Sequence, residues 1–368
     1  MNRWPASLSR HLGGSPQPSW SPLRIVSRGM CCAVGHHAPA ATAAINARMN
    51  HFRETEFVAQ GGIPIIGGAL FDVGAWGAER LSHMLQLVVA EAIAGQETID
   101  PAHIALIVVG AENGRPGQSS HCLAETLANL LSQRRSAGTG FHATSRFCAH
   151  GKGGIARALT DAAALMAHEH GPHYVLLAGV DSQLDAGAIE HYLDDERIAT
   201  KDNADGFIPA EGAAAVLLSR EANDAPATWI DAVATAEEPW RFASDLPVRA
   251  LGLTDALRSA ARSAGTEIAG LDFHASGMTG EAWYAKEVNL ALSRCMERKK
   301  SEFQHLIVTR SVGETGAAAP LLSLAWLAAL MGRGNGSPGK AGLLHFAGDD
   351  GQRSALVVRH RTASCVAK

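Results

Sequence analysis

Charged side chains are scarce in this chain: Asp, Glu, Lys and Arg make up only 18% of 368 residues, with a formal net charge of −4 and no long basic stripe. Binding to a phosphate backbone therefore lacks electrostatic support, and nucleic acid is not expected as a partner. CxxC spacing and any dense cysteine cluster are also missing among the six cysteines at 31, 32, 122, 148, 295 and 365. Neither a zinc site nor a disulfide framework is indicated, and a reducing cytosol fits best. No metal-ligand spacing of His, Cys or carboxylates stands out, so no metal is expected. No apolar run reaches the roughly 20 residues needed to span a bilayer. The strongest, Ala317 to Met331, is short and interrupted by Pro320. A cytoplasmic protein without a membrane partner is expected. Residues 1–22 carry Arg3, Arg10 and four prolines but no continuous apolar segment, which argues against a secretory signal. They read as a disordered lead or an upstream start, with Met30 as an alternative initiator.

What is present is apolar and small. Hydrophobic residues make up 46% and glycine is abundant, which suits a tightly packed α/β protein of one large or two ordinary domains. Leu23–Val26 begins a strand-like run expected to break at Gly29 and Gly35. Continuous apolar runs at 104–110, 174–179 and 213–218 read as strands buried on both faces, with helical stretches at about 120–134 and 151–168 between the first two. After a break at Asn223 to Pro226 the layout starts again: strands at 229–234, 268–274, 306–309, 343–346 and 355–358, helices at 251–264, 281–298 and 317–331. Two similar halves are expected, residues 23–224 and 225–360, followed by a tail at 361–368.

Two strings carry chemistry. Phe147-Cys148-Ala149-His150-Gly151-Lys152-Gly153-Gly154-Ile155 sets a thiol before a small-residue turn and a helix, where unpaired N–H groups stabilise a thiolate. A lone cysteine there is more often an inert core residue. Asp205-Gly206-Phe207-Ile208-Pro209-Ala210-Glu211-Gly212-Ala213 places two acid-glycine pairs around a short apolar turn before a buried strand; alone it could be a plain turn. The loop Gly110-Ala111-Glu112-Asn113-Gly114-Arg115-Pro116-Gly117 lacks the Gly-Lys-Ser/Thr ending of a phosphate loop and reads as an ordinary connection.

Together the two strings resemble the ketosynthase branch of the thiolase-like superfamily. Cys148, Ala149, Gly151 and Ile155 match its nucleophile run, and Asp205, Gly206, Glu211 and Gly212 match its Asp-Gly-Phe…Glu-Gly-Ala element. The resemblance covers roughly residues 24–358, including Gly179-Val180-Asp181. It implies a duplicated αβαβα five-layer fold, usually dimeric, with Cys148 as nucleophile and His274, in the loop where the family carries its first histidine, as acid/base group. Oxyanion support would come from the Cys148 N–H and the loop of Phe346, Ala347 and Gly348. The other histidines, among them His142, His150, His173 and His345, read as surface or packing residues.

The chain departs from the family at its second histidine, where Glu314 stands, with Arg310 near the family's lysine. An ionised carboxylate would repel the charge that develops in decarboxylative condensation. Three roles are open for it: a protonated donor, a partner of His274 in acyl transfer without decarboxylation, or a cap on the 317–331 helix. The C-terminal glycine-rich loop is also replaced, by His345-Phe346-Ala347-Gly348-Asp349-Asp350-Gly351, whose aspartates read as a solvated turn. The resemblance implies an acyltransferase of ketosynthase type, in fatty acid or polyketide biosynthesis, carrying an acyl group from a carrier-protein or coenzyme A thioester on Cys148 without a bound cofactor. A true decarboxylating 3-oxoacyl synthase and a non-catalytic scaffold or adaptor subunit are the alternatives. The expected assembly is a homodimer, or a heterodimer with a related subunit.

Overall fold

The computed structural model describes residues 20–362, apart from 72, 118, 119, 137, 139, 224 and 243–246. Most of the expected lead and tail, Cys365 and the side chain of Cys122 lie outside the described residues.

The N-terminal half contains β1 (Leu23–Cys32), α1 (Ala38–Asn46), a small hairpin of β2 (Arg53–Val58) and β3 (Pro64–Gly67), then α2 (Gly77–Ile93) and β4 (Ile104–Val109). It continues with α3 (Ser120–Ser136), β5 (Arg146–Cys148), α4 (Ile155–Ala167), β6 (Tyr174–Ser182), α5 (Ala186–Asp194) and β7 (Glu211–Ser219). Pro226 precedes β8 (Ala227–Glu237), which opens the second half. There α6 (Leu251–Ser263), β9 (Phe273–Ser276), α7 (Ala282–Cys295), β10 (Gln304–Ile307), the single turn α8 (Thr309–Val312), α9 (Ala319–Met331), β11 (Ala341–Ala347) and β12 (Gln352–Arg361) follow.

The two halves repeat one topology. Strands run β1-β7-β6-β4-β5 in the first and β8-β12-β11-β9-β10 in the second, so each half places its own first, fifth, fourth, second and third strands side by side. The sheets touch through two residue pairs of β1 and β8, Leu23 with Ile230 and Arg24 with Trp229.

Side-chain alternation along the strands then sets the layers, because successive residues point to opposite faces. In β4, Ala105, Ile107 and Val109 join a central cluster with Ile155 and Leu159 of α4 and Leu321 and Leu324 of α9. Ile104, Leu106 and Val108 instead pack on Met84, Leu85 and Val88 of α2 and Leu127 of α3. On the other sheet Phe273, Leu344 and Leu356 face the centre, while Leu343, Ala355 and Val357 face Leu253 and Leu257 of α6 and Val288 of α7. The result is five layers, α2/α3, sheet, α1/α4/α9, sheet, α6/α7. Helix α9 sits mid-sandwich and has no polar stripe; Leu321, Leu322, Leu324 and Leu327 are all buried, each adding ~1.5–3 kcal/mol of burial.

Three boundaries differ from expectation. Strand β1 continues through Gly29 to Cys32, because the missing side chain lets α2 approach: a Cβ at Gly29 would lie 2.3 Å from the Val88 carbonyl oxygen. The 268–274 run is a 3-10 turn at Ile268–Gly270 followed by a strand that starts only at Phe273. Strand β10 ends at Ile307, and Thr309 already belongs to α8.

Candidate functional site

Cys148 ends β5, which pairs on one side with β4 and forms the free end of the sheet order. Its carbonyl accepts from the Gly110 N–H at 3.1 Å. The following turn is made of small residues because it is squeezed: a Cβ at Gly153 would stand 2.7 Å from the Gly348 nitrogen and 2.5 Å from the Gln352 carbonyl oxygen. The thiol itself points into the central cluster. Burial pushes it above the usual thiol range, with Arg146 opposing and Asp161 reinforcing, so the protonated form dominates near neutrality. Its polar neighbours include His150 and Asp161 as well as the Arg146 side chain; Sγ, a His150 ring nitrogen and an Asp161 oxygen all lie within 4.8 Å of one another. Burial lowers His150 below the ordinary histidine value.

His274 is not brought to this thiol. Phe273 and Ala275 of the short strand β9 face the central layer, so His274 and Ser276 face the outer one. Its ring stacks on His305 at 4.0 Å and on Phe303 at 4.9 Å between centroids. Its Nδ1 lies 3.3 Å from His345 Nε2. Burial is the main reason His274 is depressed to about 3 and His305 to about 4, and His345 falls well below the normal value for the same reason. Three neutral imidazoles thus sit together on the far face of the C-terminal sheet. His345 is a member of that group rather than an isolated packing residue. Elsewhere His142 Nδ1 meets Thr144 Oγ1 at 2.8 Å, and His173 stacks on His103.

Glu314 is met by Lys152, from the turn after Cys148, with Nζ 2.5 Å from Oε2. Its other oxygen accepts from the Gly316 N–H at 2.7 Å, at the 3-10 turn that leads into α9. Both carboxylate oxygens therefore accept, one from Lys152 and one from the turn that precedes α9, and no side chain caps α9 itself. Burial alone would pull Lys152 down, but the Glu314 carboxylate carries it above its usual value. The Asp205–Gly212 segment braces this point: Glu314 N–H donates to the Ile208 carbonyl at 2.8 Å and its carbonyl accepts from Ala210 N–H at 3.1 Å. Asp205 Oδ1 accepts from the Ala282 N–H at the start of α7, 2.6 Å away. Glu211 takes the Arg80 guanidinium and the Leu70 N–H. Gly206 is required by close approach, since a Cβ there would be 2.6 Å from Ala199 N; one at Gly212 would be 3.1 Å from the Cys31 carbonyl oxygen.

Around Lys152 and Glu314 lies a small cavity of about 30 Å³ walled by charge, with Glu112, Arg115, Gln183, Tyr192, Arg197 and Asp349 among its lining residues. Arg115 makes a bidentate pair with Asp181, whose Oδ2 also accepts from Ala317 N–H at 2.7 Å. Arg197 bridges Glu281 at 2.7 Å and Asp349 at 2.8 Å. Burial raises Glu112, only partly offset by Arg115. Burial would likewise raise Asp349, but Arg197, Tyr284 and Lys152 hold it below the usual carboxylate range. Two polar atoms on this wall, Gln183 Oε1 and Arg115 Nε, have no protein partner. Neither Cys148 nor His274 is among the residues bordering this cavity.

The 345–351 loop is not a solvated turn throughout. Asp349 turns inward to Arg197 and Tyr284, while Asp350 closes a local turn by accepting from Gln352 N–H. Phe346 is buried in the central cluster, with a ring carbon 3.0 Å from where a Gly277 Cβ would stand. Ala347 pairs with Arg353 in the β11–β12 ladder. Gly348 borders the charged cavity, but its N–H is already given to the Gln352 carbonyl at 2.9 Å. An oxyanion donor at 348 would first have to break that turn.

Sequence reasoning did not single out Lys152, Arg115, Arg197 or Glu281. The available signal was charge in an apolar setting: Lys152 inside a glycine turn, Arg115 inside the Gly110–Gly117 loop, and Asp181 closing an apolar strand. Among the described residues no helix is long and apolar enough to cross a membrane.

No protein-family model and no curated protein matches the sequence. The structure does match solved ones. It resembles AntDE:AntF, a type II polyketide synthase acyl-carrier protein in complex with its ketosynthase, at 12% identity and TM-score 0.72 over 92% of this chain and 99% of that one. It resembles the ketosynthase ApeO in complex with its chain length factor ApeC from Xenorhabdus doucetiae at 13% identity and TM-score 0.68, over 95% of this chain and 100% of that one. The ketosynthase from module 6 of the bacillaene synthase of Bacillus subtilis 168 matches at 14% identity and TM-score 0.71, over 93% and 72%. The chain has the thiolase-like α/β fold of ketosynthases and chain length factors.

Proposed function

We propose that this chain is a ketosynthase-fold subunit that does not itself condense acyl groups and serves as the structural partner of a related catalytic chain. The observation that carries the reading is the buried Lys152–Glu314 pair. It sits beside the turn that follows Cys148 and presents an acceptor already saturated by a cation, where condensation requires neutral donors aimed at a developing oxyanion. His274 faces away from the thiol, which removes the expected base. The ion pairs of Arg115, Arg197 and Lys152 make the adjoining cavity a poor lining for an acyl chain. The open edge of β5, with Arg146 and Phe147 half-buried on it, offers backbone groups for pairing with a second chain of the same fold. Three of the similar structures are ketosynthases together with a chain length factor, which favours a heterodimer.

A second reading, acyl transfer through a Cys148 thioester, has one observation in its favour, the His150 and Asp161 groups near Sγ. Intact-protein mass spectrometry after incubation with acyl-coenzyme A and acyl-carrier protein separates the two. The scaffold reading expects no adduct on Cys148 at any chain length, and a 1:1 complex with a catalytic ketosynthase by light scattering. Stoichiometric acylation of Cys148 would overturn it. Labelled malonyl thioester would then distinguish acyl transfer alone from decarboxylating 3-oxoacyl synthesis.

A further inference from the structure

We propose that His274, His305 and His345 form a binding site for one divalent transition-metal ion of the zinc type. The three histidines are 31 and 40 residues apart in sequence, and strand order alone unites them. Strands β9 and β10 are parallel with His274 opposite His305, and β11 flanks β9 on its other side with His345 opposite Ser276. All three side chains therefore lie on one face of three adjacent strands. One nitrogen from each lies within 4.8 Å of the others. The His274 Nδ1 to His345 Nε2 distance, 3.3 Å, matches the about 3.3 Å edge of a tetrahedron with metal–nitrogen bonds of about 2.0–2.1 Å.

Two further groups point to the same place. Ser276 Oγ lies 2.7 Å from His305 Nε2, and it borders, with His345, a small cavity of about 20 Å³ also lined by Glu287. Glu287 is fully buried; its Oε1 takes Arg353 at 2.8 Å, while Oε2 has no partner. An ion held by three neutral imidazoles keeps its double charge. The Glu287 charge is itself paired with Arg353, but its oxygen without a hydrogen bond in the neighbouring cavity supplies an acceptor for a metal-bound water. The rings stand stacked, His274 and His345 13° from parallel, so binding turns at least one ring out of the stack. His305, the half-buried member on the end strand β10, has the most room to do so.

The test uses the full chain without an affinity tag, freed of metal by chelator and titrated with Zn²⁺ by calorimetry and with Co²⁺ by visible absorption. One ion per chain and a tetrahedral Co²⁺ spectrum are expected. His305→Ala should weaken Zn²⁺ at least ten-fold. A double His103→Ala/His173→Ala variant, which removes a different stacked pair, should leave the affinity unchanged. Ring-¹⁵N spectra of the unsubstituted protein read the ligands without any variant: Zn²⁺ should shift three of the seventeen histidines. No saturable binding, equal affinity in His305→Ala, or shifts confined to other histidines would overturn the site.

Discussion

Lys152 Nζ lies 2.5 Å from Glu314 Oε2, joining residues 162 positions apart and tying the turn after Cys148 to the entrance of the central helix α9. Both side chains are largely buried, so each charge depends on the other for its solvation. Lys152→Met leaves the Glu314 carboxylate uncompensated and should cost about 3–5 kcal/mol in urea unfolding, and Glu314→Leu a similar amount. The double variant should recover most of that loss, since an apolar pair has no charge to desolvate. Single variants within about 1 kcal/mol of the parent would mean that water, not the partner, solvates these groups.

Cys148 bears directly on whether the chain can act as an enzyme. A ketosynthase nucleophile needs a thiolate, yet burial raises this thiol. Alkylation of Cys148 by iodoacetamide, followed by peptide mass spectrometry, should be slower near neutral pH than that of a free thiol. Its rate should still be climbing above pH 9. A rate that levels off near neutrality would show a stabilised thiolate and weigh against the scaffold reading.

How far these features were legible in the sequence follows from their range. The strands 104–109, 174–182 and 211–219 are buried on both faces and announce themselves through the apolar runs 104–110, 174–179 and 213–218; the repeated layout of the halves followed from such runs. The resemblance carried by Cys148 and by Asp205–Gly212 led to the fold. Which face His274 occupies was not legible, because the preceding run looks like strand from 268 while the strand begins at Phe273, and parity decides the face. The Lys152–Glu314 and Arg197–Asp349 pairs span 162 and 152 residues, and no local pattern in the chain encodes contacts of that range. Asp349 read as solvated for that reason, its partner being supplied from another loop.

Close approach of the Cys148 turn to the 345–351 loop gives a steric prediction. A Cβ at Gly153 meets two backbone atoms inside 3.0 Å, neither of which can rotate away. Gly153→Ala should destabilise by ~1–3 kcal/mol or more through forced backbone shifts. Gly270→Ala, where the nearest atom is Thr266 Oγ1 at 3.5 Å, should stay within ~1 kcal/mol, as substitutions away from such contacts do. Equal midpoints for the two variants in thermal unfolding would show that the 345–351 loop yields more readily than its contacts indicate.

The stacked histidines set an acid limit on the metal-free fold. In the unfolded chain an imidazole titrates near 6.5, whereas folded His274 titrates at about 3 and His305 at about 4, principally because of burial. Below pH 6.5 the unfolded chain therefore takes up protons that the folded chain refuses, and the sign is destabilising. The stability these groups contribute is complete above pH 6.5 and is lost as the pH falls towards 4 and then 3, by up to about 1.4 kcal/mol per pH unit for each histidine. His274→Asn keeps a polar atom near His345 Nε2 but does not titrate. Unfolding in chelator-containing buffer between pH 6.5 and 4.5 should therefore show a shallower decline for this variant than for the parent. Parallel slopes would mean that the His274 ring is hydrated and protonates in the folded state, which would also remove the burial that makes it a neutral ligand.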